Sequence, residues 1–218
     1  MAEHTRPESD PATTRPTPMP LGYRADLECD VTTMSGTRVH VRPIRPEDAS
    51  RLVAFHSDLS PRSVYRRFFS SHPKLSDKEV ERFTCVDYVD RLALIAEIGD
   101  RMVAVARYDC APGTSEAEVA FVVADDCQHH GIAPLLLESL ADTAWRVGIT
   151  TFVASTLMEN REMLNVFTSS KFAVSTSLDS GVVDVRFKID PEVFPRVRST
   201  GGRQDAEPPR DDQDPPGC

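Results

Sequence analysis

Apolar and polar residues recur along residues 37–189 with two periods, and each period predicts one kind of element. Two-residue alternation and short apolar runs predict strands at 37–44, 92–97, 102–108, 117–124, 150–156, 172–177 and 182–189. Spacings of three to four residues predict helices at 46–59, 61–69, 77–84, 134–147 and 160–170. The order of these elements predicts an α/β fold in which a mixed sheet carries helices on its faces.

Short local signals fix several of the element ends. Ser76 followed by Glu79 is a capping box, so a helix should begin at residue 77. Gly148 fits the position just after a helix end. Gly99 and Asp100 join two apolar runs, which predicts a hairpin.

Both ends of the chain are rich in proline and poor in apolar residues. Eleven of the 17 prolines lie in residues 1–20 and 191–218, where no hydrophobic period is visible. Segments of this composition cannot bury enough apolar surface to fold. We therefore expect disordered tails at 1–26 and 195–218 around a single domain at 27–194.

The six residues 128–133 lie between a predicted strand and a predicted helix, an arrangement that binds phosphate groups. The first amides of a helix have no partner within it, and the helix dipole adds about half a positive charge there. Gly131 lets a ligand approach the backbone closely. Pro134 fits the first helical turn, where its missing N–H costs nothing. The segment is therefore interpreted as an anion site built from backbone amides.

Charge and composition exclude several classes of partner. The net charge is −9 without a basic stripe, which argues against nucleic acid and anionic membrane and suits a cationic substrate such as an amine. No stretch reaches the ~18 apolar residues of a membrane helix, and the N-terminus lacks a secretory signal, so a cytoplasmic location is expected. The five cysteines are widely spaced without a C-x-x-C pair, which argues against a disulfide framework and a zinc site.

Two motifs and the order of elements resemble a known family. Residues 128–133 have the form Gln-x-x-Gly-x-Ala, and the segment Asn-Arg-Glu-Met-Leu-x-x-Phe runs from Asn160 to Phe167. Together they resemble the GNAT superfamily of acyl-CoA-dependent N-acetyltransferases over about residues 36–190. Segments at 41–48, 65–70, 86–91, 106–108 and 117–123 are similar to the GNAT domain of bacterial Pat-type protein lysine acetyltransferases.

The resemblance implies a GNAT-like mixed, mostly antiparallel sheet of about six to seven strands with helices on both faces. It also implies acetyl-CoA as co-substrate, with the pyrophosphate on the amide loop and the pantetheine arm paired to a splayed strand. The implied cofactor-binding residues are Phe121, Val122, Val123, Gln128, His129, His130, Gly131, Ile132, Ala133, Asn160 and Phe167.

The implied reaction needs a neutral amine as nucleophile. A lysine with a pKa of about 10.4 loses its proton at pH 7 at a cost of about 4.6 kcal/mol. Glu118 is the candidate general base, and it matches the catalytic glutamate of the Pat family. Glu116 lies on the same strand face and is the alternative base. If neither glutamate is catalytic, the two residues form a solvated acidic face.

Three positions bear on the expected chemistry. His129 and His130 replace the Gly and Arg that are common in the family, so a fixed positive charge is missing and the loop carries groups whose charge varies with pH. A metal site at these histidines is an alternative, but no third ligand lies at a convincing spacing. Phe167 stands where many GNAT enzymes have a tyrosine that protonates the leaving thiolate, and the Pat type also tends to have phenylalanine.

Three functional hypotheses follow. The first is acetylation of a lysine on a protein, for example an acyl-CoA ligase. The second is acetylation of a small amine such as an aminoglycoside, a polyamine or an amino acid. The third is a non-catalytic acyl-CoA-binding sensor. The helices predicted between residues 46 and 84 would form the acceptor side, and their sequences leave the acceptor and the oligomeric state open.

Overall fold

A computed structural model describes residues 19–72 and 74–190 of the chain. The eight strands are β1 Cys29–Thr32, β2 Arg38–Pro43, β3 Arg91–Ile98, β4 Arg101–Cys110, β5 Glu116–Val123, β6 Thr151–Leu157, β7 Ala173–Asp179 and β8 Val182–Lys188. The five α-helices are α1 Ala49–Ser57, α2 Pro61–Phe68, α3 Asp77–Thr84, α4 Ile132–Arg146 and α5 Arg161–Thr168. Short 3-10 helices occur at Ala25–Leu27, Pro46–Asp48 and Asp125–Cys127.

All eight strands form one sheet in the order β1-β2-β3-β4-β5-β6-β8-β7. Every neighbouring pair is antiparallel except β5 and β6, which are parallel. The predicted mixed, mostly antiparallel sheet is therefore confirmed, with one strand more than the six to seven expected. The additional strand is β1, whose four residues alternate between half-buried and exposed and include no continuous apolar run.

The helix boundaries follow the local signals in the sequence. Ser76 accepts a hydrogen bond from the Glu79 amide, and the Glu79 carboxylate accepts one from the Ser76 amide, so the capping box predicted for α3 is confirmed. Gly148 adopts a left-handed φ of 89° directly after α4, as its position predicts. The helix predicted at 46–59 is divided, because Pro46–Asp48 forms a 3-10 turn before α1 begins.

The hydrophobic core lies between the sheet and its helices. β3 and β4 are buried along almost their full length, because helices cover both faces of the sheet at these strands. The apolar side of α4 packs against β3, β4 and β5. The largest fully buried side chains are Tyr88, Tyr108, Phe152, Phe167, Phe187, Ile44, Leu92, Leu94, Ile95, Ile132, Leu136 and Leu137.

The predicted tails at 1–26 and 195–218 lie outside the described residues except for 19–26. Within that stretch, the Tyr23 ring packs edge-on against Tyr88 at 5.5 Å between centroids. The Tyr23 hydroxyl also accepts a hydrogen bond of 2.9 Å from Arg45. These contacts extend the packed part of the chain to the N-terminal side of Leu27.

None of the helices built from residues 19–72 and 74–190 combines the length and the apolar character that a bilayer crossing requires.

Candidate active site

The parallel strands β5 and β6 pair over only three positions and then separate. Their register runs from Glu116 opposite Thr151 to Glu118 opposite Val153, and no pairing follows beyond it. A cavity of about 400 Å³ lies in the gap, bounded by α2, the start of α4 and α5. A gap of this kind leaves main-chain groups unpaired within the sheet, so an extended amide chain can bind there as an added strand would.

The alternation of a β-strand identifies which backbone groups face the gap. The Ala124 amide donates to the Val103 carbonyl on β4. Since backbone groups alternate in direction along a strand, the amide and carbonyl of Val122 also point toward β4. The backbone amides and carbonyls of Phe121 and Val123 therefore point the other way, toward β6. The Val123 carbonyl already accepts a hydrogen bond of 3.2 Å from Gln128 Nε2. The Phe121 amide and carbonyl and the Val123 amide therefore remain for a ligand.

The predicted anion loop has the backbone that its position requires. Gly131 is the N-cap of α4 at a left-handed φ of 78°, and His129 has a φ of 65°. A Cβ on Gly131 would lie 3.5 Å from the Thr33 side chain, so the loop packs closely there. Ile132 and Ala133 supply first-turn amides that have no partner within the helix. With the helix dipole, these amides suit the pyrophosphate of a coenzyme A.

A second loop supports this anion loop from the edge of the sheet. The Ser35 hydroxyl, in the turn between β1 and β2, donates to the His130 carbonyl at 2.8 Å. The Thr33 and Ser35 hydroxyls lie 2.9 Å apart in the same turn. The support depends on β1, which the hydrophobic pattern did not predict, so this contact could not be expected from the sequence.

The two candidate bases have different surroundings. The Glu116 carboxylate forms an ion pair with Arg186 on β8. Glu118 is exposed on the cavity wall, and no described residue donates a hydrogen bond or an ion pair to it. Arg67 on α2 is its charged neighbour. Burial lowers the pKa of the Arg67 guanidinium, and the Glu118 charge acts in the opposite direction. The geometry therefore favours Glu118 over Glu116 as the group free to accept a proton.

The far wall of the cavity is formed by the start and the inner face of α5. Asn160 caps this helix, since its side-chain oxygen accepts from the Met163 amide at 3.3 Å. Its amide nitrogen is the group left to donate to a ligand. Phe167 is almost fully buried, with its ring 6.0 Å from that of Phe121 and 5.8 Å from that of Phe187. Phe167 therefore supplies packing and no proton.

The structure brings most of the predicted site residues to one cavity. The residues that line it are Glu118, Phe121, Val122, Val123, Gln128, His129, Gly131, Ile132, Ala133, Asn160 and Phe167. His130 is exposed and does not line the cavity. The Gln128 side chain is held by Val123 and by the Ser63 hydroxyl at 3.3 Å, so it fixes the loop to the sheet and to α2.

Several residues of the site carry no local signal in the sequence. Arg66 on α2 forms an ion pair of 3.0 Å with Glu162 on α5, and both residues line the cavity. The Asp125 carboxylate accepts hydrogen bonds from the hydroxyls of Ser60 and Ser63, which ties α2 to the segment after β5. These partners are 62 to 96 residues apart, so only the tertiary structure reveals them. No group of three His, Cys, Asp or Glu side chains suited to a metal ion occurs in the part of the chain that the structure describes.

Comparison with known proteins places the chain in a family. Residues 38–173 match the family model described as an acetyltransferase (GNAT) domain. The GNAT domain of S. lividans PAT is 41% identical with a TM-score of 0.72, and the match covers 76% of this chain and 99% of that domain.

Two curated relatives are similar in sequence. The acetyltransferase PA5475 of Pseudomonas aeruginosa is 30% identical over 132 residues, which are 59% of this chain and 71% of the relative. The acetyltransferase Pat of Mycolicibacterium smegmatis is 31% identical over 164 residues, or 74% of this chain. The match spans about half of that mycobacterial protein, 49% of its length. Family model, fold and relatives agree: the chain belongs to the GNAT family and is an N-acetyltransferase that uses acetyl-CoA as co-substrate.

Proposed function

We propose that the chain transfers the acetyl group of acetyl-CoA to the side-chain amine of a lysine on a protein, with Glu118 as general base. The observation that carries the proposal is the position of Glu118. Among the residues that the structure describes, none pairs with its carboxylate, which lies on the cavity wall at the last residue before β5 and β6 separate.

The cavity accommodates the co-substrate along its length. The pyrophosphate lies at the amides of residues 131–133, where the dipole of the 15-residue helix α4 is favourable. The pantetheine arm follows the open side of β5 and pairs with the backbone of Phe121 and the amide of Val123. Val123 lies five positions after Glu118 along β5, a rise of about 17 Å. In the proposed arrangement the thioester therefore lies between Phe121 and Glu118, away from the anion loop.

Glu118 then removes the proton that the lysine must lose before it attacks. The neutral amine attacks the thioester carbonyl, the C–S bond breaks, and the acetyl group remains on nitrogen. A positioned general base contributes about 10²- to 10⁴-fold to the rate of such a step. Glu116 cannot replace it without breaking its ion pair with Arg186.

Support for a protein acceptor comes from the likeness to the GNAT domain of S. lividans PAT and to mycobacterial Pat. An acyl-CoA ligase is the acceptor class that we propose, since the Pat-like segments match enzymes of protein lysine acetylation. A small amine such as a polyamine is the second candidate, because the same base and co-substrate cavity would serve it.

The test uses labelled acetyl-CoA with an acyl-CoA ligase as acceptor. We expect Glu118→Gln to lower the transfer rate about 10²- to 10⁴-fold, because the amide cannot accept the proton. The matched control, Glu116→Gln, should retain most of the rate. Equal rates for Glu118→Gln and the parent would refute the assignment of the base. A panel of small amines acetylated faster than the protein would refute the acceptor class and leave the base intact.

A further inference from the structure

Thr156 on β6 places an unused hydroxyl in the wall of the cavity. The residue is only 2% exposed, and its Oγ1 finds no hydrogen-bond partner among the described residues. The same residue lines the cavity between β5 and β6. A buried polar group without a partner destabilises the folded chain, so its presence in a cavity wall indicates a ligand that completes it.

The neighbouring hydroxyl shows the opposite situation. Ser155 is exposed, and its hydroxyl donates to Asp184 on β8 at 2.7 Å. Successive side chains of a strand point to opposite faces, so the Ser155 and Thr156 side chains lie on opposite faces of β6. They also differ in that only the Ser155 hydroxyl has a hydrogen-bond partner among the described residues. Thr156 lies on the buried face together with Ala154 and Phe152.

The strand register gives the position of Thr156 along the gap. Glu118 pairs with Val153, and each strand continues by three residues to Phe121 and Thr156. Thr156 therefore stands across the gap from Phe121, on the core side that Phe167 also occupies. This stretch of the gap begins just after Glu118, and in the proposed arrangement the sulfur end of the pantetheine arm lies in it, between Glu118 and Phe121.

The reaction leaves a charge at that end. When the C–S bond breaks, the sulfur takes the bonding electron pair and becomes a thiolate. Phe167 carries no donor that could meet this charge. We propose that the Thr156 hydroxyl donates a hydrogen bond to the sulfur as its negative charge develops, and so stabilises the transition state.

Thr156 keeps its own proton in this step. An aliphatic alcohol is a far weaker acid than a thiol, whose pKa is about 8.5, so transfer of the proton from oxygen to sulfur is unfavourable. The coenzyme A thiolate takes its proton from solvent after the acetyl group has moved. Thr156 is thus a hydrogen-bond donor to a reacting atom and not a general acid. The inference rests on the proposed position of the thioester in this cavity.

The test compares three variants in full-length protein. Thr156→Val keeps the branched shape and removes the hydroxyl, Thr156→Ser keeps a hydroxyl, and Ser155→Ala removes the neighbouring one. We expect Thr156→Val to lower kcat about 10- to 100-fold at saturating acetyl-CoA, while the other two variants stay within about threefold of the parent. A parent-like kcat for Thr156→Val would overturn the proposal.

Binding of coenzyme A provides a readout that does not depend on turnover. Calorimetry at a pH above the thiol pKa should show that Thr156→Val weakens binding of coenzyme A and leaves binding of desulfo-coenzyme A unchanged. An equal loss for both ligands would place the contact on the pantetheine amides and would overturn the proposal.

The ligand-free proteins test the premise. Without ligand, Thr156→Val should melt about 2 to 4 °C higher than the parent, because an unpaired buried hydroxyl has been replaced by an apolar group. A lower melting temperature would mean that the hydroxyl has a partner within the fold, and the premise would be wrong.

Glu118→Gln measured in parallel separates the two proposals. If neither Glu118→Gln nor Thr156→Val slows transfer, the cavity is not the site of reaction. A slow Glu118→Gln beside a fast Thr156→Val would reject Thr156 alone.

Discussion

His129 shows how one backbone angle constrains the loop that we assign to the pyrophosphate. Its φ of 65° lies in the left-handed region, which costs a residue with a Cβ about 1 to 2 kcal/mol. The family commonly has glycine at this position, and the angle supplies a physical reason for that glycine. In this chain His129 adopts the left-handed conformation, although glycine adopts it more readily.

We expect His129→Gly to stabilise the chain. The relief of strain exceeds the entropic penalty of glycine, about 0.5 to 1 kcal/mol, so the net gain should be up to about 1 kcal/mol. Thermal unfolding without ligand measures it as a rise in melting temperature. His130→Gly is the matched control, because His130 does not have a positive φ. This control should be neutral or destabilising, and a similar rise in both variants would contradict the explanation from backbone strain.

Residues whose position depends on local order could be located from the sequence. Glu118 lies on β5, and the loop at 128–133 joins that strand to α4, so the order of elements alone brings them together. Thr156 and Ser35 could not be predicted in this way. Their positions depend on the separation of β5 from β6 and on a turn that contacts the loop 95 residues away.

A buried charge cluster joins β2, β3 and the 3-10 turn before α1. Arg42 on β2 donates to both carboxylate oxygens of Asp48, at 2.7 and 2.8 Å, and to Glu97 on β3 at 3.0 Å. Burial alone would raise the pKa of Asp48, but the hydrogen bonds from Arg42 and from the Arg45 amide lower it below its usual value. The cluster holds the 3-10 turn that precedes α1, which is why the predicted helix at 46–59 begins later than its hydrophobic pattern indicates.

Arg42→Met should lower the free energy of unfolding by about 3 to 5 kcal/mol, because it removes the buried partner of Asp48 and Glu97 and leaves them only the half-exposed Arg51. Urea denaturation measures the loss. Arg38→Met on the same strand is the control, since Arg38 is exposed, and it should change stability by less than about 0.5 kcal/mol. Comparable losses in the two variants would show that the charge cluster is not the cause.

Most helices and strands could be located from the sequence because their hydrophobic period is strong and their ends carry caps or glycines. β1 was not predicted because it is an edge strand of only four residues, in which Cys29 and Val31 alone form the apolar face. Its pairing with β2 supplies the stabilisation that its sequence lacks.

For the molecule as a whole, His56 connects stability to pH. The ring is 5% exposed, neither ring nitrogen has a hydrogen-bond partner among the described residues, and the Phe68 and His72 rings lie 5.5 and 5.9 Å away. Burial, and secondly the charge of His72, lower the pKa of His56, while Glu79 opposes them. The folded chain therefore holds this ring neutral where the unfolded chain, with a pKa of about 6.5, already binds a proton.

The consequence is a loss of stability as pH falls below about 6.5, because the unfolded state then binds more protons than the folded state. The loss continues until the pH reaches the lower folded pKa of His56. The free energy of unfolding, measured from pH 7.5 to 5.5, should fall less steeply for His56→Phe than for the parent. His40→Gln is the matched control, since it removes a histidine that lies half-buried beside Asp30, outside the core. An unaltered slope in His56→Phe would exclude His56 as the source.

The gap between β5 and β6 has one more consequence, for the solubility of the ligand-free chain. A strand with unpaired backbone groups is a template on which another chain can pair, and proteins protect such edges by covering them. Here the unpaired stretch lies in the interior of an eight-stranded sheet, beneath α2 and α5. The Arg66–Glu162 ion pair links these two helices over it. Because the gap is bounded by β5 and β6 and covered by these helices, a foreign strand would have to thread into the middle of the sheet to pair there. We therefore expect that the opening for the co-substrate does not become a site of aggregation.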